Sequence, residues 1–282
     1  VKKKINPFVQ PILKWAGGKR QLFPEISRYI PSKFKTYYEP FLGGGAVLFG
    51  FQPSKAIVGD INADLINVYS VVKDNVGELI EALSKYKNEK DYFYYIRELD
   101  RTEKYKKFSN IEKAARIIYL NKTCYNGLFR VNSQGQFNVP FGNYHNPEII
   151  NRPVLKAVSN YFNEHEIIFK AEGFESVLAS ASKGCFVYMD PPYDPISDSS
   201  SFTGYSLDGF NREDQLRLKD VCDRLDKKGC FFLLSNSYTD FIRELYSDYI
   251  IETVQVSRNI NSDGTKRGKI NEVLVRNYDK DK

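Results

Sequence analysis

The feature that most constrains this chain is an α/β alternation that breaks off and later resumes. Thr36-Tyr37-Tyr38-Glu39, β-branched and aromatic, runs through Pro40-Phe41 into the turn Gly43-Gly44-Gly45, and Ala46 to Phe51 then reads as the first turns of a helix. Ala56-Ile57-Val58-Gly59 is a second buried strand ending at Asp60, and residues 63–73 carry helical periodicity. Strand, glycine turn, helix, strand is the opening of a doubly wound α/β sheet. Past about Asp74 only helical stretches follow, at 78–86, 91–99 and 111–120, with a charged loop at 101–107. Two short β-prone runs, Tyr125 to Val131 and Gln136 to Val139, flank Asn132-Ser133-Gln134-Gly135 and predict a hairpin. The alternation then returns with a strand at 167–169, a helix at 174–181 and a buried strand from Cys185 to Met189. A helix N-capped by Asn211, with Asp214 at its third position, runs to about Leu225 before a strand at 230–234. Residues 250–256 and 273–275 flank the turn signal Asn261-Ser262-Asp263-Gly264, so a mostly parallel sheet should end in an antiparallel edge.

Composition narrows the class further. The 20 Phe and 20 Tyr of this 282-residue chain supply enough apolar surface to offset chain entropy, which excludes disorder. No run approaches the ~18 apolar residues of a membrane span, and the basic start Val1 to Pro7 lacks the apolar stretch of a secretory signal. Four cysteines form no CxxC and there are two histidines, so neither a disulfide framework nor a multi-histidine metal site is expected. A reduced cytoplasm is the expected location. A net charge of +6 is compatible with a polyanionic partner without requiring one.

Three clusters fall at carboxyl ends of expected strands, where open α/β sheets place ligands. In Glu39-Pro40-Phe41-Leu42-Gly43-Gly44-Gly45, residues without side chains let a ligand approach the backbone. This is not a dinucleotide fingerprint, because the third glycine of G-x-G-x-x-G counted from Gly43 is Leu48. Asp60, just past the second strand, can accept both hydroxyls of a ribose, or else serve as a helix cap. In Asp190-Pro191-Pro192-Tyr193 the prolines hold the carboxylate out of helical conformation and donate nothing themselves. Their carbonyls are expected to be open to a ligand's donors. A carboxylate, carbonyls and an aromatic face together suit an exocyclic amine on a flat ring.

The order of these motifs, with a helical insert between them, resembles the Dam-type (alpha group) DNA adenine-N6 methyltransferases, which use S-adenosylmethionine. Leu13-Lys14-Trp15-Ala16-Gly17-Gly18-Lys19 is similar to the family's N-terminal cofactor motif. Tyr125 to Arg130 and Phe137 to Gly142 are similar to its recognition hairpin, and Asp263 to Arg267 to its basic loop. The resemblance covers nearly the whole chain. It implies a Rossmann-like core with a mixed seven-stranded sheet, built from residues 1–62 and 151–282. Residues 63–150 would form a target-recognition domain carrying the hairpin at 123–141.

By the same resemblance, Asp190, Pro191, Pro192 and Tyr193 are catalytic. Trp15, Lys19, Glu39, Phe41, Gly43, Gly45, Asp60, Phe174 and Asp190 bind S-adenosylmethionine, released as S-adenosylhomocysteine, and no metal takes part. Glu172 and Phe174 would lie near the adenine of the cofactor, although Gly173 separates an acidic and an aromatic residue that relatives often place side by side. Lys14, Tyr125, Asn126, Leu128, Arg130, Asn138, Pro140, Tyr144, Lys266 and Arg267 would contact double-stranded DNA, with Tyr125 a candidate wedge. Asn143 stands where relatives often carry Arg. Relatives with this hairpin methylate adenine in GATC; longer sites such as GATATC stay open, as do RNA adenine and protein glutamine. The enzyme is expected to be monomeric on DNA and to act in a bacterial or phage-infected cytoplasm.

Overall fold

The computed structural model describes residues 5–195, 209–257 and 269–279. In chain order its elements are α1 (Phe23–Ser27), β1 (Tyr37–Glu39), α2 (Ala46–Phe51), β2 (Lys55–Gly59), α3 (Ala63–Asp74), α4 (Val76–Ser84) and α5 (Lys90–Glu98). Next come α6 (Glu103–Lys106), α7 (Asn110–Thr123), α8 (Arg152–Glu164), β3 (Glu166–Lys170), α9 (Phe174–Val177) and β4 (Phe186–Met189). The chain continues through α10 (Arg212–Lys227), β5 (Phe231–Ser237), α11 (Asp240–Leu245), β6 (Ile250–Ser257) and β7 (Lys269–Arg276).

The strands form one seven-stranded sheet in the order β3-β2-β1-β4-β5-β7-β6. β1 pairs in parallel with β2 and with β4, and β4 pairs in parallel with β5. β7 runs antiparallel to both β5 and β6. The mixed, doubly wound sheet with an antiparallel edge is therefore the observed fold, a Rossmann-like core. Strand order reverses at β1 and β4, the switch point where such sheets bind ligands beyond the strand carboxyl ends. β1 and β4 are buried at every position, as parallel strands covered on both faces must be.

The chain divides into two compact units. One comprises Val1–Lys19, Leu42–Ser54 and Gly59–Glu172; the other comprises Arg20–Phe41, Lys55–Val58 and Gly173–Lys282. The first has a helical core in which α3 buries Leu65, Val68, Tyr69 and Val72. There α7 buries almost every residue from Ala114 to Thr123, opening with a Ser109–Glu112 capping box. The second packs α10 and α11 on the sheet through Leu218, Val221, Cys222 and Ile242 against Val187, Phe232 and Val273. Each such side chain contributes about 1.5–3 kcal/mol on burial.

Several expectations need correction in detail. Helix α8 arises from Asn151, whose side chain accepts the Val154 N–H at 3.0 Å, and from Pro153 in the first turn. The sequence reading passed over it. The helix expected at 174–181 ends as α9 at Val177. The hairpin forms no strand ladder: it has isolated bridges at Cys124–Phe141 and Val131–Phe137, and Tyr125–Gly127 is a 3-10 turn. All four cysteines are buried free thiols. No helix among the described residues is long and apolar enough to cross a membrane.

Candidate active site

In the first unit, the turn after Leu42 is fixed by backbone bonds: Leu42 N–H donates to Gly59 and Gly45 N–H to Leu42, each at 2.8 Å. Gly43 and Gly45 lie in the left-handed region, with φ of 48° and 69°. A Cβ on Gly43 would stand 3.0 Å from Cδ1 of Trp15, so the Trp15 ring lies directly against bare backbone. Trp15 also stacks on Phe129 of the hairpin, with centroids 4.9 Å apart. Lys19 is buried and its ammonium donates to the Gly17 carbonyl at 2.8 Å.

Asp60 closes the turn. Its Oδ2 accepts the Gly43 N–H at 2.9 Å and its Oδ1 accepts the Asn62 N–H at 3.0 Å. Asn62 is the N-cap of α3, accepting from Leu65, so Asp60 is not the helix cap. Burial pushes the Asp60 carboxyl above its usual range, partly offset by those two N–H groups. A carboxylate has about four lone-pair sites, so two remain for a ligand after these bonds.

In the second unit, β4 delivers Asp190-Pro191-Pro192-Tyr193 at its carboxyl end, and the turn is locked from below. The Pro192 carbonyl accepts from Nε2 of Gln215 at 2.9 Å. This corrects the expectation that both proline carbonyls are open; among the described residues nothing donates to that of Pro191. Oε1 of Gln215 accepts from Asn236 at 3.1 Å, and Oδ1 of Asn236 accepts the Asp194 N–H at 3.1 Å. The buried Asp194 carboxylate takes Thr239 Oγ1 at 2.8 Å and Arg212 Nε at 3.1 Å. Tyr193 donates its hydroxyl to Glu272 Oε2 on β7 at 2.8 Å. Burial, then the Asp190 and Glu272 charges, raise that hydroxyl well above the usual tyrosine range.

Also in the second unit, Phe41 stacks on Phe174 at 5.5 Å, with Phe210 edge-on to Phe41 at 5.8 Å. Glu39 is buried and accepts the Tyr37 hydroxyl at 2.8 Å. Glu172 belongs to the first unit instead, where it is 49% exposed and 3.8 Å from Lys170.

The hairpin, in the first unit, presents its expected DNA contacts outward. Tyr125 is 54% exposed, which fits a wedge and not a core aromatic. Asn126 and Pro140 are exposed and Leu128 is half-buried. Arg130 donates Nε to Asn138 Oδ1 at 2.7 Å. The Lys14 ammonium lies 5.7 Å over the Tyr144 ring, and the Lys14 backbone is held on both sides by Asn121 at 2.9 Å. Asn143 has φ of 53°, a left-handed turn position that Asn tolerates. Lys266 and Arg267 lie outside the described residues. Among the described residues no group of three or more His, Cys, Asp or Glu is placed to hold a metal ion.

Sequence reasoning missed Gln215, Asp194, Glu272 and Asn121.

A family model described as D12 class N6 adenine-specific DNA methyltransferase matches residues 15–260. The chain is 44% identical to the type II methyltransferase M1.LlaDCHI of Lactococcus lactis subsp. cremoris, over 98% of each chain. It is 42% identical to the type II methyltransferase M.MjaIII of Methanocaldococcus jannaschii, over 96% of this chain and 99% of that one. The DNA adenine methylase of Escherichia coli K12 is 35% identical over 93% of both. RNA adenine and protein glutamine thus give way to adenine in DNA. Matched over most of its length, this chain belongs to the D12 class of N6 adenine-specific DNA methyltransferases.

Proposed function

We propose that this methyltransferase modifies adenine within GATC in double-stranded DNA, turning the target base out of the helix to do so. The observation that carries the chemistry is the Asp190–Tyr193 turn, held rigid by Gln215, Asn236 and Asp194. N6 of adenine is a poor nucleophile because its lone pair is conjugated with the ring. The Asp190 carboxylate and the Pro191 carbonyl accept its two hydrogens, which draws nitrogen toward a tetrahedral geometry and localises the lone pair. Charge developing on nitrogen is then stabilised electrostatically by groups already in place. Tyr193 supplies a stacking face worth about 1–3 kcal/mol, offsetting part of the unpairing cost. Exposed Tyr125 occupies the gap left in the duplex.

The family implies S-adenosylmethionine, and the residues fit it: a bare glycine turn against Trp15, a carboxylate with spare acceptor capacity and a stacked Phe pair. When bound, it supplies a methyl group already activated by a sulfonium. Asp60 accepts the ribose hydroxyls, Phe174, backed by Phe41, lies against the adenine ring, and Trp15, Lys19, Glu39 and the turn at Gly43 and Gly45 hold the methionine part. No step requires a metal.

Residues 63–150 form the target-recognition segment and the remainder the catalytic core, acting as a monomer on bacterial or phage DNA in the cytoplasm. The Arg130 fork donates to O6 and N7 of one guanine, the commonest specific contact in the major groove. Leu128 and Pro140 lie against neighbouring bases, Asn126 and Asn138 line the reading edge, and Lys14, Tyr144, Lys266 and Arg267 complete the DNA contacts. Sequencing modified bases in DNA from a host expressing the chain tests the site. N6-methyladenine confined to GATC is expected; modified adenines not preceded by guanine would refute the assignment.

A further inference from the structure

The hairpin of the first unit holds its register through few bonds of its own. Its two arms share isolated bridges instead of a ladder, and sparse pairing leaves register weakly specified. A slip by one residue would turn Arg130 and Asn138 to the opposite face. Asn132 and Gln136 close its turn, and a further hold on the second arm comes from outside it.

Asp100, in the 3-10 turn Leu99–Arg101 that follows α5, accepts the Phe137 N–H on Oδ2 at 2.8 Å. Arg101 Nη2 donates to the Phe137 carbonyl at 3.2 Å. Both polar backbone groups of Phe137 are therefore gripped by consecutive residues of the helical block. Asp100 is itself held by Arg116 of α7, whose guanidinium is 2% exposed and lies 2.8 Å from the same Oδ2. Arg116 is anchored in turn by the carbonyls of Ile96 at 2.9 Å and Arg97 at 2.7 Å.

The residue after Phe137 is Asn138, and Asn138 sets Arg130. Its N–H donates to the Arg130 carbonyl at 3.0 Å while its Oδ1 takes Arg130 Nε at 2.7 Å. Arg130 Nη2 also donates to the Asn138 carbonyl at 3.4 Å, so the approach of the guanidinium to a base edge is fixed by where Asn138 stands. A buried ion pair is a weak source of stability, since apolar residues of similar volume do as well. A carboxylate here has a second use, because it provides a directional acceptor that an apolar residue cannot.

We propose that Asp100, backed by Arg116, is a positioning residue for target specificity, aligning Arg130 through Phe137 and Asn138. The inference rests on Arg130 being the guanine reader. The test uses the full chain and duplex oligonucleotides carrying GATC or the same site with one guanine replaced. The readout is the ratio of kcat/KM on the two, with S-adenosylmethionine affinity and non-specific DNA affinity measured alongside.

Arg130→Ala should lower the ratio by about tenfold or more at one guanine position. Asp100→Ala should lower it at the same position by about fivefold or more while both affinities stay within about twofold. Asp100→Asn, which keeps an acceptor for Phe137, should recover most of the discrimination. Should the unpaired Arg116 prevent Asp100→Ala from folding, the double variant Asp100→Ala/Arg116→Met removes that charge and should show the same loss. Wild-type discrimination in either folded Ala variant, with discrimination lost in Arg130→Ala, overturns the positioning role alone. Failure of both Ala variants to fold overturns it in favour of a purely structural pair. An unchanged ratio in Arg130→Ala refutes the guanine assignment, and this inference with it.

Discussion

Asp60 reaches back from the end of β2 to take the Gly43 N–H at 2.9 Å, so the carboxylate assigned to the cofactor ribose also braces the turn beneath it. Two consequences separate experimentally. Asp60→Ala should weaken S-adenosylmethionine binding by about tenfold or more, since each lost charge-assisted bond contributes ~1.5–3 kcal/mol. It should also lower the thermal midpoint, because the N–H groups of Gly43 and Asn62 lose their acceptor. DNA affinity without cofactor should hold. The pH dependence has a defined sign. The ionised carboxylate accepts hydroxyls best, and burial raises its pKa, so affinity is full only above that raised value. It should decline as pH falls toward the raised value, beginning above the ordinary aspartate pKa of about 3.9. Calorimetric titration of Asp60→Asn should show weaker binding without that slope; a slope unchanged in Asp60→Asn would place the titrating group elsewhere.

Gly45 tests the turn without touching a charge. It has φ of 69°, and a Cβ there would stand 2.8 Å from Cε2 of Phe49. Phe49 cannot retreat easily, being packed against Tyr69 and Phe162. Gly45→Ala should therefore lose about 1–3 kcal/mol from left-handed strain and overpacking together. Gly77 lies in α4 with nothing within 4 Å of its added Cβ, so Gly77→Ala should be neutral or gain up to about 1 kcal/mol. Urea denaturation of the pair reads both signs. Equal midpoints for the two variants would show that the turn is not sterically closed.

What the sequence made legible was local. The Asn211 cap with Asp214 appears as a full capping box, and α2 opens at Ala46, where the first turns of a helix are expected. These rest on signals within one helical turn. Helix α8 was hidden because Pro153 reads as a breaker unless it is recognised as a first-turn residue, where its missing N–H costs nothing. The hairpin was legible as a turn between β-prone runs but not as a structure gripped through Phe137, since Asp100 lies 37 residues away. The catalytic tetrapeptide announced itself by composition. Its supports did not, because Gln215 is 23 residues from Pro192 and Asn236 is 42 from Asp194, and no spacing rule links them.

Asp190 should prove dispensable for folding and essential for turnover. It sits where β4 has already ended, and after burial its charge is the largest cause raising the Tyr193 hydroxyl. Asp190 is only half-buried and takes no place in the apolar core packed on β4, so Asp190→Ala should melt no more than a few degrees from wild type. Methyl transfer in single-turnover assays should fall by at least about a hundredfold, the scale of losing one preorganised electrostatic contact. Turnover within a factor of ten would remove Asp190 from the centre of the mechanism.

Gln215 tests whether rigidity of the turn matters as well as its composition. The side chain is 1% exposed and makes two bonds of opposite sense, donating to the Pro192 carbonyl and accepting from Asn236. Gln215→Ala leaves both partners short of a bond, at about 1–3 kcal/mol each if water does not replace it. The buried apolar packing of α10 through Leu218, Val221 and Leu225 should keep the fold. Freed of its tether, the Pro191-Pro192 segment gains slack, and misplacement by about 1 Å can cost on the order of a hundredfold in rate. The expected result is kcat down by about ten- to a hundredfold, with cofactor and DNA dissociation constants little changed. Gln215→Glu keeps an acceptor for Asn236 and sets a carboxyl oxygen against the Pro192 carbonyl in place of the donor. A kcat for Gln215→Glu as low as that of Gln215→Ala assigns the effect to the Pro192 bond. Should both variants lose thermal stability yet turn over within twofold of wild type, Gln215 merely fills the core.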